Sequence, residues 1–276
     1  MMLHIEPEEI WGHIRKEACQ LTECEPMLVS FYHSALLRYN NLGTALSYIL
    51  ANKLANHIIS ERDLREIIQD TYRQNPAMII SAAYDIYAAR HRDPTVDKYS
   101  TVILYLKGFH ALQIYRLYHC LWNVGRRSLA IYLQHASSLL FAVDIHPAAR
   151  LGHGILLDHA TGIVIGETTV IADNVLILQS VTLGGTGKDD SGDRHPKIQE
   201  WVIIGAGAKI LGNIEVGCWA KVGAGSVVLQ PVPAYTTVAG VPANVVSKQH
   251  KNNISSILMN KYPVTVFTGF EYGDGI

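Results

Sequence analysis

The chain has 276 residues, 49 % of them hydrophobic, and carries 23 Lys and Arg against 24 Asp and Glu for a formal net charge of −1. Charge this balanced, with no basic block, excludes the electrostatic footprint of a nucleic-acid or anionic-membrane binder and directs attention to a small-molecule substrate or a protein partner. The acidic start MMLHIEPEEIW is unlike a secretory leader, and no apolar run reaches the roughly 18 residues of a membrane span, so a cytoplasmic protein is expected.

Up to about Phe141 the chain reads as helices set apart by breakers. Segments rich in Leu, Ile, Ala and Tyr are interrupted by NNLG at Asn40 to Gly43, NP at Asn75 and Pro76, and RDP at Arg92 to Pro94. Ser60 followed by Asp63 predicts a capping-box start for the segment RDLREIIQDTYRQ. The segment GFHALQIYRLYHCLWN has apolar and aromatic residues on more than one face, which predicts burial on several sides, in a bundle core or a subunit contact. Cys19, Cys24, Cys120 and Cys218 form no CxxC pair and are expected to be free, buried thiols.

After Phe141 aliphatic residues recur every six positions. They fall at Ile145, Leu151, Leu157 and Ile163, then after a two-residue shift at Ile165, Ile171, Ile177 and Leu183, and again at Ile204, Ile210, Val216, Val222 and Val228. Neither the 3.6-residue period of a helix nor the two-residue period of a strand produces this. It suits a parallel β-helix in which each hexad is one short strand and one corner, three hexads closing a triangular coil. Inward aliphatics then stack, and each backbone group pairs with the coil above or below.

The expected fold class is α+β: an N-terminal α-helical domain over 1–141, a C-terminal left-handed parallel β-helix of hexapeptide repeats over 142–246, and a flexible tail over 247–276. The shift near Ile163 marks a bulge or tight corner. The interval from Leu183 to Ile204 holds GGTGKDDSGDRHPK, too polar for a wall, and predicts an extruded loop over 184–201.

DIHPAARLGHGILLDHATG, from Asp144 to Gly162, holds three histidines, and imidazole serves equally as metal ligand and general base. In the hexad frame His153 and His159 belong to different faces. Zinc-binding hexapeptide proteins resembling the gamma-class carbonic anhydrases carry two histidines separated by four residues, and no such pair occurs between Asp144 and His195. No metal is expected. An acid/base site remains: Asp158 flanks His159, and Asp144 lies near it in the stacked coils. A carboxylate on one imidazole nitrogen fixes the tautomer and stabilises the cation formed at the other. Spacing gives equal weight to His159 as a plain corner residue.

IGAGA at Ile204 to Ala208 and VGAGS at Val222 to Ser226 stack one coil apart. Their tiny side chains leave a shallow groove of accessible backbone suited to an extended amide-bearing ligand such as the pantetheine arm of coenzyme A. Relief of crowding at tight corners would also explain them. Lys209, Lys221 and Lys248 are candidates for the phosphates of such a ligand.

DIHPAA, LDHATGIVIGE, QSVTLGGTGK, GDRHPKI, GAGAKILGNIEVG and VVLQPVP together resemble the bacterial serine O-acetyltransferase family. The likeness extends through CEPMLVSFYH, LSYILANKL and RDPTVDKYSTVILYLKGFHALQ to the final FEYGDGI, nearly the whole chain. The resemblance implies acetyl transfer from acetyl-CoA to the hydroxyl of L-serine, the first step of cysteine biosynthesis, by direct attack on the thioester. It implies His159 as general base with Asp144 as its orienting partner. It implies Asp93 and Asp158 for the substrate ammonium, and Arg194 and His195 for its carboxylate, with an oxyanion role open to His195. Gly185, Ala206, Lys221 and Ala224 are the implied coenzyme A contacts. Trimers paired into hexamers, feedback inhibition by L-cysteine, and docking of Asp274, Gly275 and Ile276 into O-acetylserine sulfhydrylase complete what the resemblance implies. Acetylation of a sugar hydroxyl, or a non-catalytic scaffold working through its tail, are the competing readings.

Overall fold

A computed structural model describes residues 4–187 and 192–248. Its first half is helical: α1 (Pro7–Cys24), α2 (Val29–Tyr32) continued by a π-turn at His33–Leu37, α3 (Leu42–Leu54), α4 (Glu61–Gln74), α5 (Ala77–Arg92), α6 (Tyr99–Tyr105), α7 (Lys107–Asn123) and α8 (Arg127–Phe141). Boundaries follow local chemistry. Asn41 caps α3 by accepting from the Thr44 N–H at 2.9 Å, and Ser60 caps α4 by accepting from the Asp63 N–H at 3.2 Å, as the sequence predicts. Pro76, without an N–H to offer, separates α4 from α5. Every residue of α7 from Gly108 to Tyr118 is buried, so this helix is the hub of the bundle. The cysteines differ from expectation: Cys19 and Cys24 are exposed, Cys120 and Cys218 half-buried, all four free thiols. The first two stand near the C-terminal end of the amphipathic α1, away from its apolar stripe of Ile10, Trp11, Ile14 and Ala18.

The second half is a left-handed parallel β-helix of about five coils with three faces. The first face stacks β1 (Val143–Ile145), β4 (Ile163–Ile165), β7 (Thr182–Gly184), β10 (Lys209–Leu211) and β13 (Val227–Val228). The second stacks β2 (Arg150–Leu151), β5 (Val170–Ile171), β8 (Lys197–Ile198) and β11 (Glu215–Val216). The third stacks β3 (Leu156–Leu157), β6 (Leu176–Ile177), β9 (Ile203–Ile204), β12 (Lys221–Val222), β14 (Thr236–Gly240) and the antiparallel β15 (Ala243–Lys248). The hexad aliphatics line the interior; Ile145, Ile165 and Leu183 are in register on the first face, and all but the half-buried Leu151 are buried.

The loop predicted over 184–201 is shorter than that. Gly184 closes β7, and Lys197–Ile198 are wall residues pairing with β5 and β11. Ile198 stands six residues before Ile204 and resumes the repeat, while fifteen residues separate it from Leu183. The extra chain therefore leaves and re-enters at one corner.

The two halves are joined by a hydrogen-bonding requirement. Some N–H groups of each coil donate to carbonyls of the following coil, as in His146 N–H to Ile165 O and Arg150 N–H to Thr169 O, so the corresponding carbonyls of the first coil have no coil before them to accept from. Side chains of α7 supply the donors: Tyr118 to Ile145 O at 2.8 Å, His119 Nδ1 to Pro147 O at 2.7 Å, Tyr115 to Ala149 O, and Arg116 to Gly152 O at 2.7 Å. Arg116 is itself paired with the fully buried Asp85 of α5 at 2.8 Å, and Asp85 also accepts from Gln113 and from the Ile155 N–H.

Candidate active site

The three histidines of the stretch from Asp144 to Gly162 separate onto the three edges of the prism. His146 follows β1 and lies where the first and second faces meet, His153 follows β2, and His159 follows β3. The Nδ1 of His153 lies 3.3 Å from Asp173 Oδ1, and its ring stands 4.4 Å from that of Tyr84. His146 accepts the Ala148 N–H on Nδ1 at 3.1 Å and meets Trp122 edge-on. One ion is therefore not shared among them, and the described residues contain no group of three His, Cys, Asp or Glu able to hold a metal.

The edge between the third and first faces carries His159. Eight residues rather than six separate Leu157 from Ile165, and the two extra residues form a turn in which His159 and Ala160 are left-handed at φ 54° and 64°. The insertion seen as a shift in the repeat is thus the element that presents the histidine. Its imidazole is 61 % exposed, with the Asp158 carboxylate 3.9 Å from Nε2. Burial pushes the Asp158 carboxyl above the usual carboxylate range, His159 opposes this, and the charge of Asp93 adds to it. Asp93 stands at the C-terminal end of α5, where its Oδ1 accepts from Thr95 N–H and Oγ1 at 2.8 and 2.7 Å. Two carboxylates beside an exposed imidazole make a receptor for a small cation next to a base.

Asp144 occupies β1 on the outward side and accepts from Gln134 of α8. Among the described residues no hydrogen bond joins it to His159. Its strand starts one residue after Ala142, whose carbonyl accepts the Gly162 N–H at 2.7 Å, so Asp144 belongs to the same edge region.

Below His159 the same edge descends through Ser180, Ala206 and Ala224, linked by Ser180 N–H to Thr161 O and Gly225 N–H to Ala206 O, both 2.8 Å. Crowding explains one glycine here: a Cβ on Gly205 would stand 2.6 Å from the Ala224 nitrogen. Ala224 is exposed and Ala206 half-buried, so small side chains leave backbone accessible along this edge. Lys221 sits on the adjoining third face, and burial lowers its pKa. Lys209 is committed to the carbonyls of Ser180 and Gly207 at 2.6 and 2.9 Å.

Arg194, His195 and Gly185 lie on the edge between the first and second faces, where the extruded loop leaves and returns. Arg194 pairs with Glu167 at 2.7 Å. The Thr168 hydroxyl accepts from the N–H groups of Arg194 and His195, both 3.0 Å, and faces His195 Nδ1 at 2.8 Å, to which the Thr168 N–H also donates at 3.2 Å. Nδ1 is therefore the acceptor and the neutral ring carries its proton on Nε2. The ring lies over Gly166, where a Cβ would be 2.0 Å from Cδ2. Burial first, then Arg194, lowers the pKa of His195 against the opposing Glu167. Glu167 and Thr168 carry no hexad signal; only closing the loop onto the corner it leaves would have drawn attention to them. Asp274, Gly275 and Ile276 lie outside the described residues.

Known proteins are similar to this chain over nearly its whole length. The family description "Serine acetyltransferase, N-terminal" matches residues 10–114. A serine acetyltransferase of Salmonella typhimurium is 64 % identical over 271 residues, 98 % of each chain. A solved serine acetyltransferase in complex with cysteine is 65 % identical with a TM-score of 0.85, covering 87 % of this chain and 99 % of that one. Another in complex with CoA is 63 % identical with a TM-score of 0.84, covering 87 % and 100 %. At this identity and coverage the chain belongs to the serine acetyltransferase family of acetyl-CoA-dependent acyltransferases.

Proposed function

We propose that this chain transfers the acetyl group of acetyl-CoA to the hydroxyl of L-serine, giving O-acetyl-L-serine and CoA as the first step of cysteine biosynthesis, with His159 as general base. The observation that carries the reading is the exposed His159 imidazole beside Asp158, whose carboxyl senses Asp93. Those carboxylates hold the serine ammonium and set its hydroxyl at His159. The imidazole takes the hydroxyl proton as the oxygen attacks the thioester carbonyl, and the collapsing tetrahedral intermediate expels the CoA thiolate, which takes up a proton. Asp144, turning from Gln134 towards His159, orients the ring and stabilises its cation. The accessible backbone along Ala206 and Ala224, with Lys221 beside it, takes the pantetheine arm.

Arg194 holds the substrate carboxylate through its forked donors, and the Nε2–H of His195 points a neutral donor at the carboxylate or the thioester oxygen. The His159 and His195 clusters stand at opposite edges of the first face. Three copies arranged with that face towards a common axis bring one edge of each copy against the other edge of the next, which places Gly185, Arg194 and His195 of one subunit beside His159 of its neighbour. Outward Val164 on β4, 40 % exposed, supports that face as the contact. Dimers of trimers form through the helical half, residues 1–141, which also lends Asp93 to the site.

L-cysteine, with the same ammonium and carboxylate as serine, inhibits by occupying the serine site; the cysteine complex of a relative supports this. The tail ending in Asp274, Gly275 and Ile276 docks into O-acetylserine sulfhydrylase. No helix among the described residues is long and apolar enough to cross a membrane, and four free thiols support a reducing cytoplasmic setting.

The test is release of free thiol from acetyl-CoA with L-serine, set against a panel of sugars and a His159→Ala variant. Serine-dependent release lost in the variant is expected. Release that follows a sugar, or persists in His159→Ala, overturns the assignment.

A further inference from the structure

We infer that Gly108, with Lys107 beside it, is a positioning residue for the His159 turn, an inference that rests on the proposed role of His159 as base. His159 and Ala160 are consecutive non-glycine residues at positive φ, a conformation in which Cβ crowds the following carbonyl oxygen. The turn folds tightly on itself, Ala160 N–H to Asp158 O at 2.5 Å and Thr161 N–H to His159 O at 2.9 Å. Strained backbone of this kind persists where the surrounding structure leaves it no alternative.

Those surroundings are the first turn of α7. A Cβ on Gly108 would stand 2.0 Å from Leu157 O, 3.0 Å from the Leu157 carbonyl carbon and 3.1 Å from Ala160 Cβ. The two nearest atoms are backbone and cannot swing aside. The Lys107 ammonium meets the Thr161 hydroxyl. The start of α7 therefore touches the chain before, within and after the turn, while the His159 side chain stays open to solvent. Gly108 is helical and not among the glycines at positive φ, and glycine is a poorer helix former than alanine. Close approach to the turn, not its own backbone freedom, is what glycine provides here.

The test is Gly108→Ala in the full-length enzyme. Its Cβ must push α7 and the turn apart by about 1 Å, a misplacement worth on the order of a hundredfold in kcat. The KM for acetyl-CoA is expected to hold while kcat falls, with the melting temperature lowered by no more than a few degrees, the scale of one overpacked contact. Gly12→Ala, in α1 with no atom within 4 Å of the new Cβ, is expected to keep its rate. If Gly108→Ala does not fold, Lys107→Met decides, since it removes the Thr161 contact without adding bulk; a loss of about threefold or more in kcat is expected. Full kcat in Gly108→Ala, or in Lys107→Met where the former does not fold, overturns the inference, as does a parallel fall in stability and in affinity for both substrates. His159→Asn assayed alongside separates the readings: turnover by that variant sinks the base assignment, whereas an inactive His159→Asn with a fully active Gly108→Ala sinks the positioning role alone.

Discussion

The hydroxyl of Thr168 lies 2.8 Å from His195 Nδ1 while accepting the backbone N–H groups of Arg194 and His195 at 3.0 Å each. One oxygen thus fixes the return of the extruded loop and the tautomer of its histidine. Thr168→Val keeps the shape but orphans two N–H groups, each worth about 1–3 kcal/mol when buried, and leaves the ring nitrogen only the longer bond from the residue 168 backbone N–H. The expected result is a fall of about ten- to a hundredfold in kcat/KM for serine, restored by Thr168→Ser. Steady-state kinetics on the pair, with the side-chain nitrogen shifts of His195, check it; a fully active Thr168→Val removes the tautomer from the mechanism.

Asp158 must be ionised to hold an ammonium, yet burial and the nearby Asp93 charge favour its protonated form. On the proposed assignment the substrate ammonium supplies the missing cation. The KM for serine is therefore expected to rise as pH falls through a value above the usual carboxylate range, with the KM for acetyl-CoA flat. Asp158→Asn removes that dependence and raises the serine KM by about a hundredfold, the scale of a lost charge pair. An Asp158→Asn enzyme with the parent serine profile refutes the ammonium assignment.

The repeat made the β-helix legible because its period is imposed by geometry: an inward aliphatic is needed once per strand, and each strand is one hexad. The same period showed a two-residue surplus before Ile165, which the sequence sets near Ile163 and the structure sets at His159 and Ala160. It misjudged the loop because Ile198, a single aliphatic after a polar stretch, has no partner six residues before it. The contacts of α7 with the first coil were not legible at all. Tyr115, Arg116, Tyr118 and His119 belong to a segment whose pattern predicts only burial on several sides, and their purpose emerges only once the first coil is seen to have carbonyls without a preceding strand. Thr168 was hidden for a related reason: its partners are twenty-six and twenty-seven residues away, brought back by a loop whose length no periodicity records.

The weld between the halves depends on the Asp85 and Arg116 pair, with Asp85 fully buried and Arg116 8 % exposed. Removing one partner of such a pair leaves a buried charge uncompensated, at about 3–5 kcal/mol. Asp85→Ala in addition orphans the Ile155 N–H and Gln113. Chemical denaturation of Asp85→Ala is expected to show a loss of at least that size, and one below about 1 kcal/mol, a typical single hydrogen bond, would show that the Asp85 and Arg116 pair does not hold the halves together.

His110 gives the helical half a pH dependence of its own. It is buried in α7 with Nε2 donating to Ile103 O at 2.8 Å. Burial pushes its pKa down to about 4, the Ile103 carbonyl opposes the shift, and Lys53 adds to it. Because the folded value lies below the ordinary one, the unfolded chain binds the extra proton between the two. The contribution is therefore full above about pH 6.5 and is lost as pH falls towards 4, about 3 kcal/mol in all by linkage. Denaturation midpoints measured across that window are expected to fall with acid in the parent and to fall less in His110→Gln, which does not titrate. Equal slopes in the two proteins would assign the acid sensitivity to other groups.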